Sequence, residues 1–456
     1  RYSLLSGQWH GGGYSKMKNS TTLAEPLGKA GYATWAVGKW DTHGTSPLDY
    51  GFEKYFGFVG GSSDYIEGNE KFLLNEKPYA AFGEDASEFY LTRACTDYVI
   101  QFLMEKEEAE DKRPFFVYAA YNAPHGPLQA PEDLVRKYRG RYMKGWEKVR
   151  GERYERQKAL GLFDESVQLP AWQSNHRQWE DLTENEKSWE DYRMAIYAAM
   201  VESIDRNLGR LNQELMRTGQ WENTLFLFMS DNGANPFERS GFTSRLPWKP
   251  ECGIKQGTEW ASVSNTPFRW YKQNNYMGGV ATPFIVHWPA GLKAKQWDNT
   301  PSHVVDIMPT LLEISGGEYP ETIRGEAVGE MVGISLVPLL VGQKVNRGKS
   351  IFYSYVGNNG LWDGRYKIVS NRGGPWELFD MDADPVENFD IAAEHPERVE
   401  AMSKEWYRIG NRIKVHAKSR APRNETASPW GEGSAPKTMQ HPVWGDKKPP
   451  LPLPSE

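Results

Sequence analysis

The chain has 456 residues, 39% hydrophobic and 25% charged, which is enough for one large core plus a smaller unit, and its net charge is -6. That balance excludes a generally basic nucleic-acid binder. No apolar run approaches the roughly 18 residues of a membrane span, and the start lacks the basic, apolar, small-residue order of a signal peptide. Two cysteines, Cys95 and Cys252, build no disulfide framework and stand in no metal-ligand spacing. Cys95 reads as a buried thiol on the amphipathic stretch 91–103, and Cys252 as an incidental loop thiol.

In chain order, Thr22-Leu-Ala-Glu25 predicts a capping box that opens a helix stopping at Gly31. Strands are expected at Ala33–Gly38, Phe115–Tyr121, Thr224–Met229 and Phe284–Trp288, each rich in aromatic or β-branched residues and bounded by turn signals. Helices with apolar faces are expected at Tyr192–Arg217 and His303–Ser315. This alternation predicts an α/β fold, a large mixed sheet sandwiched by helices, over residues 1–345. Residues 132–196 interrupt it as a charged helical insertion. Its first part, Glu132–Lys158, holds ten Lys/Arg against five Asp/Glu, which is either a solvated helix pair or a basic rim attracting anions. Residues 346–417 carry short β-like pieces, Ser350–Tyr355, Arg365–Ser370 and Trp376–Asp380, then a helix at Pro396–Ile413. They predict a small C-terminal antiparallel sheet subdomain. Residues 418–456 are Pro-rich and expected to be an extended or disordered tail.

In open α/β sheets the ligand crevice lies beyond the carboxyl ends of the strands, so polar residues that follow apolar runs carry extra weight. Lys39 follows the first strand, His125 the second, and Asp231 with Asn232 the third. Ser230-Asp-Asn-Gly233 reads as a turn, yet its carboxylate and amide oxygens also suit a hard cation. His125 stands between Pro124 and Pro127, on a backbone stiff enough to fix a hydrogen-bonding or proton-transfer geometry. Arg269 and Lys272 read singly as surface charges, but Gly278-Gly279 after them permit close backbone approach and could bring a cation over the strand ends. His287, inside a strand, reads as a packed histidine.

These pieces, in this order, resemble the formylglycine-dependent sulfatases of the alkaline phosphatase superfamily. The likeness rests on Arg1–Gly7, Gly38-Lys39-Trp40, Ala123-Pro-His125, Ser230–Gly233, Asn265–Lys272, Thr282–Gly291, Asp306–Thr310 and Leu378–Pro385. Arg1-Tyr-Ser-Leu-Leu-Ser-Gly7 is similar to the second half of the sulfatase signature, whose reactive Cys or Ser would lie just before Arg1.

The resemblance implies that Arg1 and Lys39 hold the formylglycine hydrate, and that Lys39, His125 and Lys272 hold sulfate, His125 also protonating the leaving alcohol. His43 and Arg269 are further substrate-binding candidates. Asp231 and Asn232 would complete a Ca²⁺ site, with Mg²⁺ as the alternative, whose other carboxylates lie upstream of Arg1. The substrate implied is an aryl or carbohydrate sulfate ester, with no nucleic-acid or membrane partner, in a periplasmic or secreted setting. The chain as given is accordingly expected to be inactive without its upstream segment. Two positions depart from the family pattern: Asp41 stands where a His is usual, and Met277 where a Glu commonly precedes the paired glycines. A phosphodiesterase or phosphonate hydrolase of the same superfamily, and a non-catalytic glycan-binding relative, stay open as alternatives.

Overall fold

The computed structural model describes residues 1–10, 19–42, 46–68, 71–79, 89–173, 176–238, 245–292, 297–355, 357–415 and 447–454. Its centre is β1 (Ala33–Lys39), buried along its whole length. β2 (Lys54–Phe58) pairs with it in parallel, and β3 (Phe72–Leu74) and β4 (Lys77–Pro78) extend that side antiparallel. β5 (Phe115–Ala120) pairs in parallel on the other side, giving the order β4-β3-β2-β1-β5. Because side chains alternate along a strand, Ala33, Trp35 and Val37 enter one core cluster and Ala36 enters another on the opposite face.

Helices Leu91–Glu108 and Glu184–Arg217 supply the first cluster, through residues such as Cys95, Phe102, Tyr192 and Ile196. Helices Ala24–Lys29 and Ile307–Ser315 supply the second, through Leu27, Met308 and Leu312. Trp35 lies between Phe102 and Phe115, with ring centroids 5.9 and 6.0 Å away. Burial of a large apolar side chain of this kind contributes roughly 1.5–3 kcal/mol.

β6 (Phe226–Met229) and β7 (Phe284–His287) form a separate antiparallel ladder. The sequence placed all four core strands in one sheet, whereas among the described residues β6 pairs with β7 and not with β5. The side chains nevertheless keep a common phase. Phe115, Val117, Phe226 and Phe228 pack on the first cluster, and Phe116, Tyr118, Leu227 and Met229 on the second. β5 and β6 thus flank a cavity of about 4780 Å³ whose lining runs the length of both strands and takes in the carboxyl ends of β1, β5 and β6.

Two local expectations are corrected. Glu25 does accept the Thr22 N–H at 2.8 Å, but the Thr22 hydroxyl donates to the Tyr50 carbonyl at 2.6 Å, so only half of the capping box forms and the helix starts at Ala24. Cys252 is a core thiol, 1% exposed within the first cluster, and burial pushes both thiols up to about 12. Within Glu132–Lys158, Arg136, Lys144 and Lys158 pair with Glu132, Glu152 and Glu155, and Lys137 pairs outward with Glu202, while Arg141, Arg153 and Arg156 line the cavity.

After a short hairpin of β8 (Thr322–Ile323) and β9 (Glu326–Ala327), the C-terminal subdomain is an antiparallel sheet of β10 (Ile351–Tyr355), β11 (Asn358–Trp362), β12 (Tyr366–Ser370) and β13 (Trp376–Asp380). Helix Pro396–Arg412 covers it through Met402, Trp406 and Ile409. Residues 447–454 run back along the main domain, where Trp189 donates to the Lys447 carbonyl at 2.6 Å and Arg139 to that of Leu451 at 2.9 Å.

Candidate active site

Each strand end delivers one group to the mouth of the cavity. Lys39 is the last residue of β1, His125 follows β5 on the turn 121–127, and Asp231 and Asn232 follow β6; all four line the cavity. Arg1 lines the same wall just ahead of the helical turn Tyr2–Ser6.

Lys272 arrives from a loop with no strand of its own, and backbone bonding places it. Its N–H donates to the Ala234 carbonyl at 3.0 Å, while Asn265 ties both loops by accepting from Ala234 N–H at 3.0 Å and donating to the Trp270 carbonyl at 3.0 Å. Gly233 and Gly278 make this approach possible. A Cβ at Gly233 would sit 1.9 Å from the Gly278 oxygen, and one at Gly278 would sit 2.1 Å from the Arg269 oxygen.

The charges are interlocked. Arg1 Nη1 lies 3.6 Å from Asp41 Oδ2 and 4.0 Å from Asp231 Oδ2, and Lys39 Nζ lies 3.2 Å from Asp41 Oδ2. Asp41 holds a left-handed backbone, φ 46°, an unusual conformation for a non-glycine residue and one that concentrates at functional sites. Burial, helped by the Arg1 guanidinium and Lys272, lowers Lys39 to about 8 against the pull of Asp41. Lys272 is lowered as well, by burial first and then by Arg1, with Asp231 opposing. His125 falls to about 3 through burial, Lys272 and Lys39. Burial resists ionisation of Asp231, yet Arg1, Lys272 and Lys39 together hold its carboxyl below the usual range. Burial is the first cause of the shift in both lysines and in His125, and the neighbouring cations add to it; by count, Arg1, Lys39 and Lys272 outnumber the carboxylates Asp41 and Asp231 around them.

The predicted residues do not all converge. Arg1, Lys39, His125, Asp231, Asn232 and Lys272 share the cavity wall. Arg269 turns to the C-terminal subdomain, where it donates to the Glu387 carbonyl and lies over the Tyr276 ring at 5.0 Å. His43 lies outside the described residues. His287 packs beside Trp221, with ring centroids 4.6 Å apart and the planes tilted by 33°. Where the family pattern has a Glu, Met277 donates its backbone N–H to Glu387 Oε2 at 2.6 Å, so a carboxylate reaches the paired glycines from the other subdomain. Sequence reading also passed over Asn235, 3.2 Å from His125, and Tyr118, which lines the cavity beside the Arg1 guanidinium.

The donor set at Asp231 and Asn232, a carboxylate and an amide oxygen on one turn at the cavity wall, is chemically suited to a hard divalent cation. Among the described residues no cluster of three His, Cys, Asp or Glu forms a complete metal site, so these two would be a part of one.

The family model for sulfatases matches residues 1–317, and that for the C-terminal region of N-sulphoglucosamine sulphohydrolase matches residues 267–409. The chain belongs to the sulfatase family. An arylsulfatase of Klebsiella aerogenes is 32% identical over 340 residues, covering 69% of this sulfatase and 72% of the relative. An uncharacterized sulfatase of Schizosaccharomyces pombe is 29% identical over 441 residues, covering 86% and 77%. Among solved structures, Ps i-CgsB in complex with a neocarrahexaose superposes with a TM-score of 0.63 at 21% identity, over 90% of this chain and 81% of that one. A phosphonate monoester hydrolase from Silicibacter pomeroyi superposes with a TM-score of 0.53 at 18% identity, over 96% and 89%. Both share the fold, a mixed sheet with helices and a small C-terminal antiparallel sheet. The family supports a hydrolase acting on sulfate esters.

Proposed function

We propose that this sulfatase cleaves aryl or carbohydrate sulfate esters with the sulfuryl group seated at the strand ends, between Lys39, Lys272 and His125. The observation that carries this reading is the convergence of Arg1, Lys39 and Lys272 on one cavity wall, with both lysines depressed. An incoming sulfate oxyanion relieves that depression, and the same cations stabilise the charge that builds on the sulfuryl and leaving oxygens. Their positions are fixed by strand ends and loop-to-loop backbone bonds, so little reorganisation is needed.

A formylglycine hydrate would supply the attacking oxygen; Arg1 and Lys39 are the residues to hold it. A divalent cation would rest on Asp231 and Asn232 and contribute charge neutralisation. Asp41 orients Lys39 and Arg1 at once, which gives this chain a carboxylate where the family pattern has a histidine. The neighbour BT4656, solved with its substrate D-glucosamine-2-N,6-O-disulfate, lends support to a carbohydrate sulfate. The test is turnover by the full-length protein of an aryl sulfate, a sulfated saccharide and a phosphate diester, each with Lys272→Ala as control. Sulfate-ester cleavage lost in the variant is expected; faster cleavage of the diester would overturn the reading.

A further inference from the structure

Asn235 is bonded on both ends of its amide. Its Oδ1 accepts the Phe237 N–H at 3.1 Å, and its Nδ2 lies 3.2 Å from His125 Nε2. Turning the amide over would set its NH₂ against the Phe237 N–H, donor against donor, so the backbone fixes which end faces the imidazole. The end that faces it can only donate. His125 Nε2 must therefore accept, and it carries no proton.

The other ring nitrogen leads to the same tautomer. Nδ1 lies 2.7 Å from the Gly126 carbonyl, which can only accept, so Nδ1 bears the hydrogen. Two independent contacts, from a loop after β6 and from the turn after β5, thus specify one neutral form. The charged surroundings agree: Lys272, Lys39 and Lys255 all face this imidazole from different segments, and each disfavours a second proton. His125 itself is anchored by its backbone, whose N–H donates to the Asn122 carbonyl at 2.9 Å and whose carbonyl accepts from Tyr65 at 2.8 Å. The ring has little freedom to turn and exchange its two nitrogens.

We propose that Asn235 is a positioning residue that holds His125 as the Nδ1–H tautomer, leaving an unprotonated Nε2 in the cavity. The consequence concerns the proton inventory of the reaction and rests on the reading of this cavity as the sulfuryl site. A histidine in this state enters the cycle as a proton acceptor. It can deliver a proton to a leaving oxygen only after taking one up from solvent at Nε2, and that uptake breaks the Asn235 contact.

The experiment is a long-range ¹H–¹⁵N correlation spectrum of the full chain labelled in its nine histidines, with His125→Gln assigning the resonance. No substrate is added, so the result stands apart from whether sulfate esters are turned over. The expected spectrum shows a protonated Nδ1 and a bare Nε2 from pH 8 down to pH 5. Asn235→Asp, which keeps an oxygen for Phe237 and aims a second acceptor at the ring, is expected to put a proton on Nε2 and raise the titration midpoint of His125. Asn235→Leu leaves the Gly126 contact alone to favour the Nδ1–H form and is expected to weaken the preference, with a minor Nε2–H population appearing. A wild-type spectrum with Nε2 protonated overturns the proposal, and so does a folded Asn235→Asp protein whose His125 pattern is unchanged.

Discussion

Two groups of charged residues in this molecule use the same residue types to opposite ends. In the seam between the insertion and the main domain, Arg193 bonds Glu190 at 2.8 Å and Glu238 at 2.6 Å, and Arg177 bonds Glu190 at 2.9 Å and Glu259 at 3.1 Å. Each cation there is saturated, and its neighbours raise its affinity for the proton. At the strand ends, Arg1, Lys39 and Lys272 share Asp41 and Asp231 at longer range, and the two lysines and His125 are depressed. Saturated charge is architecture. The proposed function gives the charge at the strand ends to an anion instead, and the two roles can be told apart by what removing one member does.

The largest effect is expected in the seam. Arg193→Met leaves Glu190 short of one partner and Glu238 without its buried cation, and it should cost on the order of 3–5 kcal/mol of stability, read as a lower denaturant midpoint. Lys272→Ala, by contrast, removes a charge that the fold disfavours and should leave the midpoint unchanged or slightly higher. Equal destabilisation by both would erase the distinction.

A calcium titration sharpens it from the anionic side. With Ca²⁺ at 100 times its dissociation constant, binding at Asp231 and Asn232 would stabilise the fold by about 2.7 kcal/mol. The Asp231→Asn chain should lose most of that gain. A calcium-dependent shift that survives the substitution would place the ion elsewhere.

Acid should act through the histidine. His125 takes its proton at about 3 in the fold and near its ordinary 6.5 when unfolded. Between those values the unfolded state binds the extra proton, so stability rises with pH and falls on acidification through that window. His125→Gln should flatten that part of the pH profile, whereas a profile indifferent to the substitution would contradict the depressed imidazole. The smallest effect belongs to the insertion surface. Lys144→Ala breaks an exposed pair with Glu152 and should leave the denaturant midpoint essentially unmoved, with sulfate affinity intact.

β1, β5, β6 and β7 were legible because they are apolar runs bounded by turn residues, and β13 has the limits expected of it. β2 and β11 were not. Lys54-Tyr-Phe-Gly-Phe58 contains a glycine that weakens a strand signal, and that glycine is there because a Cβ at Gly57 would meet the Gly38 oxygen at 1.9 Å. Asn358-Asn-Gly reads as a turn until its partners on both sides are known.

In the site, Lys39, His125, Asp231 and Asn232 were readable from their place after strands, a rule of position that needs no contact information. Lys272 needed the family order, because backbone bonds to a distant loop place it. Arg269 shares Lys272's segment yet points to Glu387, since neighbours three apart on an irregular loop need not share a direction. Asn235 was invisible to any local pattern; its meaning arises only from facing His125 across 110 positions.

The central claim is that the depressed cations at the strand ends form an oxyanion site. Calorimetric titration of inorganic sulfate into the full chain at neutral pH tests it most directly, with Lys272→Ala and Arg193→Lys run alongside. Losing one charge-assisted contact of about 1.5–3 kcal/mol should weaken sulfate binding by roughly 10- to 100-fold in Lys272→Ala and leave it unchanged in a folded Arg193→Lys protein. Sulfate binding of equal strength in the wild type and in Lys272→Ala would contradict the account.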